Sequence, residues 1–368
     1  MDKLSDLRKI LSKQLGWYKP HIDCLIQMLI ALMTVRTVNL RELAVGMSSK
    51  KAQISSREKR LYRFFAHFEL DISVIGRWII QLFFSPEKVF YISIDRTNWF
   101  WGRSPINIFV ASICYEGIAI PFLWKVLEKD GSTSGKEQIE LVERAINLVG
   151  KERVTGLLAD REFGNQELIS HLCFNKVPFY IRYKEDNFVC INGKKFKKAG
   201  ELFPDLKRYT PKTYGMRVEI GGQSVYLVAS KNERDELMIV VTNANYNQAI
   251  AIYLRRWEIE CLFQSLKNRG FRFESTHITK PERIEKMLAI LAIAFAWAHR
   301  TGEWHAQLKP IKFKRLKTFL TVQQRPVNSY FRYGFDLIRD AITGLNVNWK
   351  LLKQTFKFLA LPPLEARS

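Results

Sequence analysis

Two runs of β-forming residues in the middle of the chain each end in an aspartate, and they constrain the fold more than any other feature. Residues 89–95 (VFYISID) end in Asp95, and residues 154–160 (VTGLLAD) end in Asp160. A charge at the end of a buried strand is costly unless it is paired or binds a metal ion. Ligands of open α/β sheets bind at strand ends, so we expect both aspartates in one cleft. Taken singly, each aspartate is also compatible with a turn or a helix cap.

The segments around these runs predict an α/β core with one mixed sheet. Runs of β-formers predict strands, and apolar residues at helical spacing predict helices. In chain order, the further predicted elements are strands at 106–114 and 118–126 joined by a tight turn at 115–117, helices at 136–149 and 165–175, a strand at 177–182, and helices at 248–268 and 281–300. Meandering strands followed by alternating helices and strands are typical of an α/β sheet with helices packed on it.

The chain is strongly basic. It has 58 Lys and Arg residues against 36 Asp and Glu residues, a formal net charge of +22 and a pI near 9.8. Such a charge indicates a polyanionic partner, for which DNA, RNA and an anionic membrane are the candidates. The longest apolar runs, 25–35 and 287–298, are too short to cross a bilayer, so no membrane partner is expected. Five singly placed cysteines without a CxxC pair favour reduced thiols in a cytoplasm.

These patterns predict three regions along the chain. Residues 1–85 are predicted to form a helical DNA-binding domain, in which Asn39 caps a short helix that precedes a basic helix, as in a helix-turn-helix. An ordinary helical bundle with a solvated basic face is the alternative. Residues 86–300 are predicted to form the core, with a β-rich insertion at 186–244, and residues 301–368 a basic, mostly helical C-terminal region.

The predicted helix at 248–268 carries a row of polar side chains. Tyr253, Arg256, Glu260 and Lys267 are offset by 0, 3, 7 and 14 residues. At roughly 100° per residue, these positions fall within a sector of about 60°. One helix face would therefore present a phenol, a guanidinium, a carboxylate and an ammonium in line. A solvated salt-bridge face built on Arg256 and Glu260 is the alternative, and it explains the aromatic and the lysine less well.

These residue types suit chemistry on phosphodiesters. Hydrolysis or transfer of a phosphodiester needs charge neutralised on the attacking and the leaving oxygen, and two hard cations about 3.5–4 Å apart provide this. Carboxylates are the natural ligands of such cations, so Asp95, Asp160 and Glu260 are predicted to hold them. Arg256 and Lys267 would grip neighbouring phosphates, the arginine through parallel hydrogen bonds and the lysine as a point charge.

The string from Tyr253 to Lys267 resembles the YREK signature of the IS4 family of bacterial insertion-sequence transposases. Residues 95–97 (DRT) and 160–163 (DREF) resemble the first and second aspartate motifs of that family. The order of the carboxylates and the β-rich insertion before the glutamate also resemble it. The resemblance implies a ribonuclease-H-like catalytic core and cut-and-paste transposition of DNA.

The resemblance also implies a role for each residue of the site. The expected catalytic metal ligands are Asp95, Asp160 and Glu260, and the expected DNA-binding residues are Tyr253, Arg256, Lys267 and Arg161. The metal would be Mg²⁺ or Mn²⁺, with two ions per active site. Hairpin-forming relatives use a tryptophan in the insertion, whereas this chain has none between Trp124 and Trp257, so the hairpin step stays open.

Such a transposase would cleave strands at transposon ends and transfer the freed ends into target DNA. Its partners would be double-stranded DNA, at the transposon ends and at the target, and a second copy of the chain in a homodimer on that DNA. Its place would be the bacterial cytoplasm, in association with the nucleoid. Two alternatives remain: a ribonuclease-H-like nuclease without strand transfer, and a catalytically inactive DNA-binding protein of the same fold.

Overall fold

The computed structural model describes residues 3–47, 52–317, 322–344 and 346–361. The α-helices are α1 (Ser5–Leu15), α2 (Lys19–Val35), α3 (Leu40–Gly46), α4 (Ile54–His67), α5 (Ile72–Phe83), α6 (Gly135–Val149), α7 (Gln166–Phe174), α8 (Ala249–Leu254), α9 (Trp257–Leu266), α10 (Pro281–Leu308), α11 (Tyr330–Thr343) and α12 (Trp349–Phe356). The β-strands are β1 (Phe90–Trp101), β2 (Ser104–Tyr115), β3 (Ile118–Leu127), β4 (Val154–Ala159), β5 (Phe179–Tyr183), β6 (Phe188–Ile191), β7 (Lys195–Lys198), β8 (Lys212–Thr213), β9 (Val218–Ile220), β10 (Gln223–Lys231), β11 (Leu237–Thr242), β12 (Phe313–Lys317) and β13 (Val322–Pro326). Parts of the predicted terminal regions, at 1–2, 48–51, 318–321, 345 and 362–368, lie outside the described residues.

A large mixed sheet occupies the middle of the chain. Within the described residues it has eleven strands in the order β3-β2-β1-β4-β5-β11-β10-β9-β6-β7, with β8 paired to β10. β1, β4 and β5 run parallel, whereas β2 and β3 are antiparallel. β2 follows its neighbour β1 after a two-residue turn and therefore runs antiparallel to it. This order and these directions confirm the predicted α/β fold with a ribonuclease-H-like core.

Local sequence chemistry explains where several elements begin and end. In the predicted tight turn between β2 and β3, Glu116 and Gly117 have positive φ angles of 46° and 88°. This backbone matches the twist of the two strands in a short hairpin. At the start of α6, Ser134 and Glu137 form a capping box, in which each side chain bonds the backbone N–H of the other residue. Asn39 caps α3, as predicted, by accepting hydrogen bonds from backbone N–H groups of the first turn.

Two predicted boundaries near the candidate site are wrong. The first strand does not end at Asp95, because its hairpin with β2 carries β1 on to Trp101 after the neighbouring strand β4 has ended. The predicted helix at 248–268 is divided into α8 and α9. At the division, the N–H groups of Arg255 and Arg256 bond carbonyls three residues back, which tightens the turn and interrupts the α-helical ladder.

The later segments also depart from the predicted layout. The segment at 186–244 is β-rich as predicted, but its last strands continue the main sheet: β10 pairs with β11, and β11 pairs with β5. α10 continues to Leu308, past the predicted end at residue 300. The C-terminal region contains the β12–β13 hairpin in addition to helices, and a basic composition does not encode such a pair.

Packing divides the chain into two compact units. The helical unit consists of Met1–Pro86, Trp99–Ile106 and Phe263–Ser368, and the sheet unit of Glu87–Asn98 and Asn107–Leu262. Within the helical unit, α10 is buried along most of its length and approaches α11 closely, because Gly302 and Gly334 have no Cβ atoms that would collide with backbone atoms of the opposite helix. The predicted division into three regions stays a prediction.

Among the described helices, none is by itself long and apolar enough to cross a membrane. α2 and α3, which are bent by 98° relative to each other, meet the criterion as a pair by length and composition only.

Candidate active site

Asp95 and Asp160 lie side by side at one edge of the sheet unit. The parallel pairing of β1 with β4 matches Ile94 with Ala159, so the next residue on each strand is one of the two aspartates. Asp160 directly follows β4, as the sequence predicts, and both aspartate side chains are partly buried. Parallel strands therefore bring together two carboxylates that are far apart in the chain.

The Arg256 guanidinium connects the helical side of the site to the strands. Its Nη1 donates to Asp95 Oδ2 at 3.2 Å, and its Nη2 donates to Glu260 Oε1 at 2.6 Å. Its Nε donates to the Tyr253 hydroxyl at 3.2 Å, and that hydroxyl donates to Asp160 Oδ1 at 3.1 Å. One chain of hydrogen bonds thus links all of the predicted acidic ligands to the first members of the YREK-like string.

The electrostatics of this group follow from its burial. Burial raises the pKa of Asp95 to about 6, although a backbone hydrogen bond and the Arg256 cation lower it, and the charges of Asp160 and Glu260 raise it further. Burial raises the pKa of Tyr253 to about 12, so its hydroxyl remains protonated at neutral pH and donates to Asp160. Burial disfavours the Arg256 cation, yet its pKa is raised, because Tyr253 and the carboxylates favour the charged form.

A separate ion pair, which the sequence did not reveal, links the two aspartate segments. Arg96 follows Asp95, and its Nε and Nη2 donate to Glu162 Oε1 and Oε2 at 3.0 and 3.1 Å. Glu162 Oε1 also accepts from the backbone N–H and the hydroxyl of Thr133, both at 3.2 Å. Arg96 and Glu162 belong to the two aspartate motifs, but neither motif indicates that an arginine of β1 bonds a glutamate of the 3₁₀ turn that follows β4.

Hydrogen bonds from buried amide side chains connect the Arg96–Glu162 pair to the loop before α6 and to the first turns of α6 and α7. Arg96 Nη1 donates to Asn107 Oδ1, and the Asn107 amide donates to two carbonyls of the loop before α6. On the other side, Gln138 Nε2 donates to the Thr133 hydroxyl at 2.9 Å, and Asn165, the N-cap of α7, donates to Gln138 Oε1 at 2.6 Å. The loop and both helix starts are thereby fixed to the aspartate strands.

Lys267 and Arg161 are the predicted site residues that lie outside the Arg256 hydrogen-bond chain. Lys267 belongs to the helical unit and lies in the turn after α9 rather than on the helix. Its Nζ lies 2.7 Å from Glu274 Oε1 and 5.0 Å from the centre of the Trp99 ring. Arg161 has an exposed side chain on the short 3₁₀ turn that begins directly after Asp160.

The comparison with protein families identifies the chain. The sequence profile of the family described as "Transposase DDE domain" matches residues 95–297, which is more than half of the chain. The chain belongs to the transposase DDE domain family. The matched segment begins at Asp95 and includes Asp160 and Glu260. Nuclease and transposition activity is general in this family.

Solved structures also resemble the transposase. The cryo-EM structure of piggyBac transposase in a synaptic complex with hairpin DNA is 11% identical, with 99% of this chain and 86% of that chain covered and a TM-score of 0.48. The crystal structure of endonuclease V from Bacillus subtilis is 12% identical, with 66% of this chain and 92% of that chain covered and a TM-score of 0.27. No curated protein sequence matches the chain.

DDE transposases generally use divalent metal ions, and the donor set of this site fits one. Carboxylates are hard oxygen ligands of the kind that Mg²⁺ and Mn²⁺ prefer. A cation would also offset the burial and the carboxylate repulsion that raise the pKa of Asp95. Among the described residues, no group of three acidic, histidine or cysteine side chains is arranged closely enough to hold a metal ion. Instead, the Arg256 guanidinium bridges Asp95 and Glu260.

Proposed function

We propose that this transposase is of the IS4 type and moves DNA by a cut-and-paste reaction. It cleaves strands at transposon ends in a reaction that depends on a divalent metal ion, and it transfers the freed ends into target DNA. The observation that supports this proposal most is the bonding of Arg256 to Asp95, Glu260 and Tyr253. Arg256 thereby links Tyr253 and Glu260 of the YREK-like string to Asp95, the first of the three predicted acidic ligands.

In this proposal, Asp95, Asp160 and Glu260 hold two Mg²⁺ or Mn²⁺ ions. When bound, such ions neutralise charge on the attacking and leaving oxygens of a phosphodiester. Tyr253 orients the Asp160 carboxylate by donating a hydrogen bond to it. Arg256 offsets the repulsion between the Asp95 and Glu260 carboxylates, because it bonds both. These two side chains keep the acidic group assembled.

Arg256 is also suited to bind a DNA phosphate. A guanidinium has five N–H donors, of which the described residues engage three. The others can donate to a phosphate at the transposon end, where Tyr253, Lys267 and Arg161 are further proposed contacts. In the cleavage step, water attacks the phosphodiester at the transposon end and the bond from phosphorus to the 3′-oxygen breaks, which frees a 3′-hydroxyl. In the joining step, that hydroxyl attacks a phosphodiester of the target and displaces the 3′-oxygen of the target strand, so no covalent bond to the protein forms.

The proposed partners are double-stranded transposon ends and double-stranded target DNA. The net charge of +22 supports a polyanionic partner. A homodimer on DNA would hold the two ends of one element together, and the proposed location is the nucleoid in a bacterial cytoplasm.

The test is strand cleavage and joining with a linear duplex that carries the element's own ends, in Mg²⁺ and in Mn²⁺. Wild type is compared with Glu260→Gln, which keeps the shape of the side chain and removes its charge. Glu143→Gln is the matched control, because Glu143 is an exposed glutamate of α6 in the same unit. Direct Mn²⁺ binding, followed by electron paramagnetic resonance, is measured on all three proteins.

We expect wild type and Glu143→Gln to cut and join the duplex, and Glu260→Gln to bind DNA without cutting it. We also expect Glu260→Gln to bind Mn²⁺ more weakly. Cutting without joining would favour the nuclease without strand transfer. DNA binding by wild type with no cutting in either metal would favour the inactive DNA-binding protein.

A further inference from the structure

A group of arginines in the helical unit has no role in the site described above. Its members come from the end of α2, the segment after α9, and α11. They are Arg36, Arg269, Arg272, Arg332 and Arg339, called the arginine cluster below. These arginines are far apart in the sequence, and the packing of α2 against α11 brings them together. The sequence pattern therefore does not indicate that they are neighbours.

Hydrogen bonds hold two of these guanidiniums side by side. Arg36 Nη2 and Arg332 Nη1 both donate to the carbonyl oxygen of Arg269, at 3.3 and 3.4 Å. Arg36 also stacks over Phe335, with its Cζ 5.5 Å from the ring centre. Arg36 is the C-cap of α2 and has a left-handed backbone, so its side chain leaves the helix end toward α11. The geometry of the pair is therefore set by the fold.

The cluster has a surplus of positive charge. Arg332 and Arg339 lie seven residues apart on α11, hence on one face of the helix. Asp336 lies between them and pairs with Arg332 at 2.7 Å. Burial lowers the pKa of Arg36, and the positive charges of Arg332, Arg339 and Arg272 lower it further. The negative charge of Asp336 raises the pKa and offsets part of this shift. Mutual repulsion thus remains after the carboxylate is taken into account.

Several arginines of the cluster are accessible to solvent, so a bound anion could offset the repulsion between their positive charges. Arg269 and Arg272 are exposed, and Arg332 is partly exposed. Guanidiniums are weakly hydrated and bind phosphate oxygens through parallel N–H groups, so adjacent arginines suit a phosphate better than adjacent lysines do. A row of phosphates, as in a nucleic-acid backbone, would match a cluster that extends over α2, the segment after α9, and α11.

We propose that the arginine cluster is a binding site for backbone phosphates of double-stranded DNA, separate from the phosphate contacts of the YREK-like string. This inference rests on the proposed action of the chain on DNA. Because the cluster meets phosphates rather than bases, its contribution to affinity is independent of DNA sequence and falls with salt.

The test measures binding of the full chain to a random-sequence 40-base-pair duplex by fluorescence anisotropy over a series of NaCl concentrations. Arg332→Gln and Arg36→Gln each remove one cluster charge, and Asp336→Asn removes the opposing carboxylate. Arg144→Gln, an exposed arginine of α6, is the matched control. The melting temperature of each variant establishes that it is folded, and Arg36→Lys separates loss of charge from loss of the planar fork.

Loss of one phosphate contact lowers the slope of log K against log salt by about 0.9, which corresponds to about eightfold weaker binding at 0.1 M salt. We expect this for Arg332→Gln and Arg36→Gln, no change for Arg144→Gln, and about two- to eightfold tighter binding for Asp336→Asn. A cluster that only stabilises the fold does not gain affinity when Asp336 is neutralised.

The inference is wrong if the arginine variants are folded and keep the wild-type slope, or if Asp336→Asn does not bind more tightly. Wild-type cleavage of transposon ends would be unaffected by that outcome. Failure of the proposed function would give a different result. The wild type would bind DNA, and its slope of log K against log salt would exceed that of the arginine variants, but it would not cut transposon ends.

Discussion

The Arg96–Glu162 pair provides the sharpest test of how the aspartates are positioned. We consider Glu162→Gln, Arg96→Met and the double variant. Glutamine keeps the shape of Glu162 but removes the charge. Its NH₂ group faces Arg96 Nη2 in one orientation, and Arg96 Nε together with the Thr133 donors in the other. At least one donor is therefore left facing another donor.

The structure sets the size of the effect. The Arg96 and Glu162 side chains are 15% and 25% exposed, so the pair is partly shielded from water. Breaking a fully buried pair by removing one partner costs about 3–5 kcal/mol, and a hydrogen bond to a charged group contributes about 1.5–3 kcal/mol. With partial exposure, we expect Glu162→Gln to lower the free energy of unfolding by about 2–4 kcal/mol, and the double-mutant cycle to give a coupling energy of about 1.5–3 kcal/mol.

Urea unfolding of the four proteins measures the cycle, and cleavage of transposon ends measures its consequence. A misplacement of a catalytic group by about 1 Å can cost about 100-fold in rate, so we expect cleavage to slow about 10- to 100-fold in each single variant. The surface pair Arg41–Glu58 is the control, because its atoms are 2.9 Å apart but its side chains are 55% and 22% exposed. Its coupling energy should not exceed about 1 kcal/mol. Equal coupling in the two pairs, with unchanged cleavage, would show that the Arg96–Glu162 pair does not position the aspartates.

Three further outcomes follow from the structure. Gly334→Ala would place a Cβ atom 1.9 Å from the Ala298 carbonyl oxygen, so the free energy of unfolding should fall by at least about 3 kcal/mol in calorimetry. Gly215→Ala is the control: its Cβ would meet no atom within 4 Å, so the free energy of unfolding should change by less than about 1 kcal/mol. Burial lowers the pKa of His299 to about 3, so between pH of about 6.5 and about 3 the unfolded state holds a proton that the folded state does not. In that window the free energy of unfolding should fall by about 1.4 kcal/mol per pH unit as the pH is lowered, and His299→Gln should flatten this slope in urea titrations. Tyr253→Phe removes the hydrogen bond to Asp160 and should slow cleavage about 10- to 100-fold; cleavage at the wild-type rate would show that the bond is dispensable.

Local patterns in the sequence were sufficient for most elements of the sheet unit. The α6 and α7 helices and the β2–β3 hairpin follow from capping residues, helical periodicity and a turn that needs positive φ angles, all of which act within a few residues. The adjacency of Asp95 and Asp160 was also predictable, because parallel strands align their carboxyl ends.

Features that depend on distant partners were not predictable in the same way. β1 continues past Asp95 because β2 pairs with it, which the run of apolar residues in β1 does not encode. The Arg96–Glu162 pair joins residues 66 positions apart, and its form depends on the register between β1 and β4. The extension of the main sheet by β10 and β11 likewise depends on pairing with β5 rather than on composition.

Arg256 shows why spacing along a helix predicts some contacts and not others. Its bonds to Tyr253 and Glu260 span three and four residues, and they persist across the division between α8 and α9 because residues so close remain neighbours in any helical turn. Lys267 lies seven residues beyond Glu260, and α9 ends at Leu266, so the helix no longer determines where its ammonium points. Glu274 pairs with it instead. The first three members of the YREK-like string therefore act through local geometry, whereas the position of the fourth depends on the fold of the helical unit.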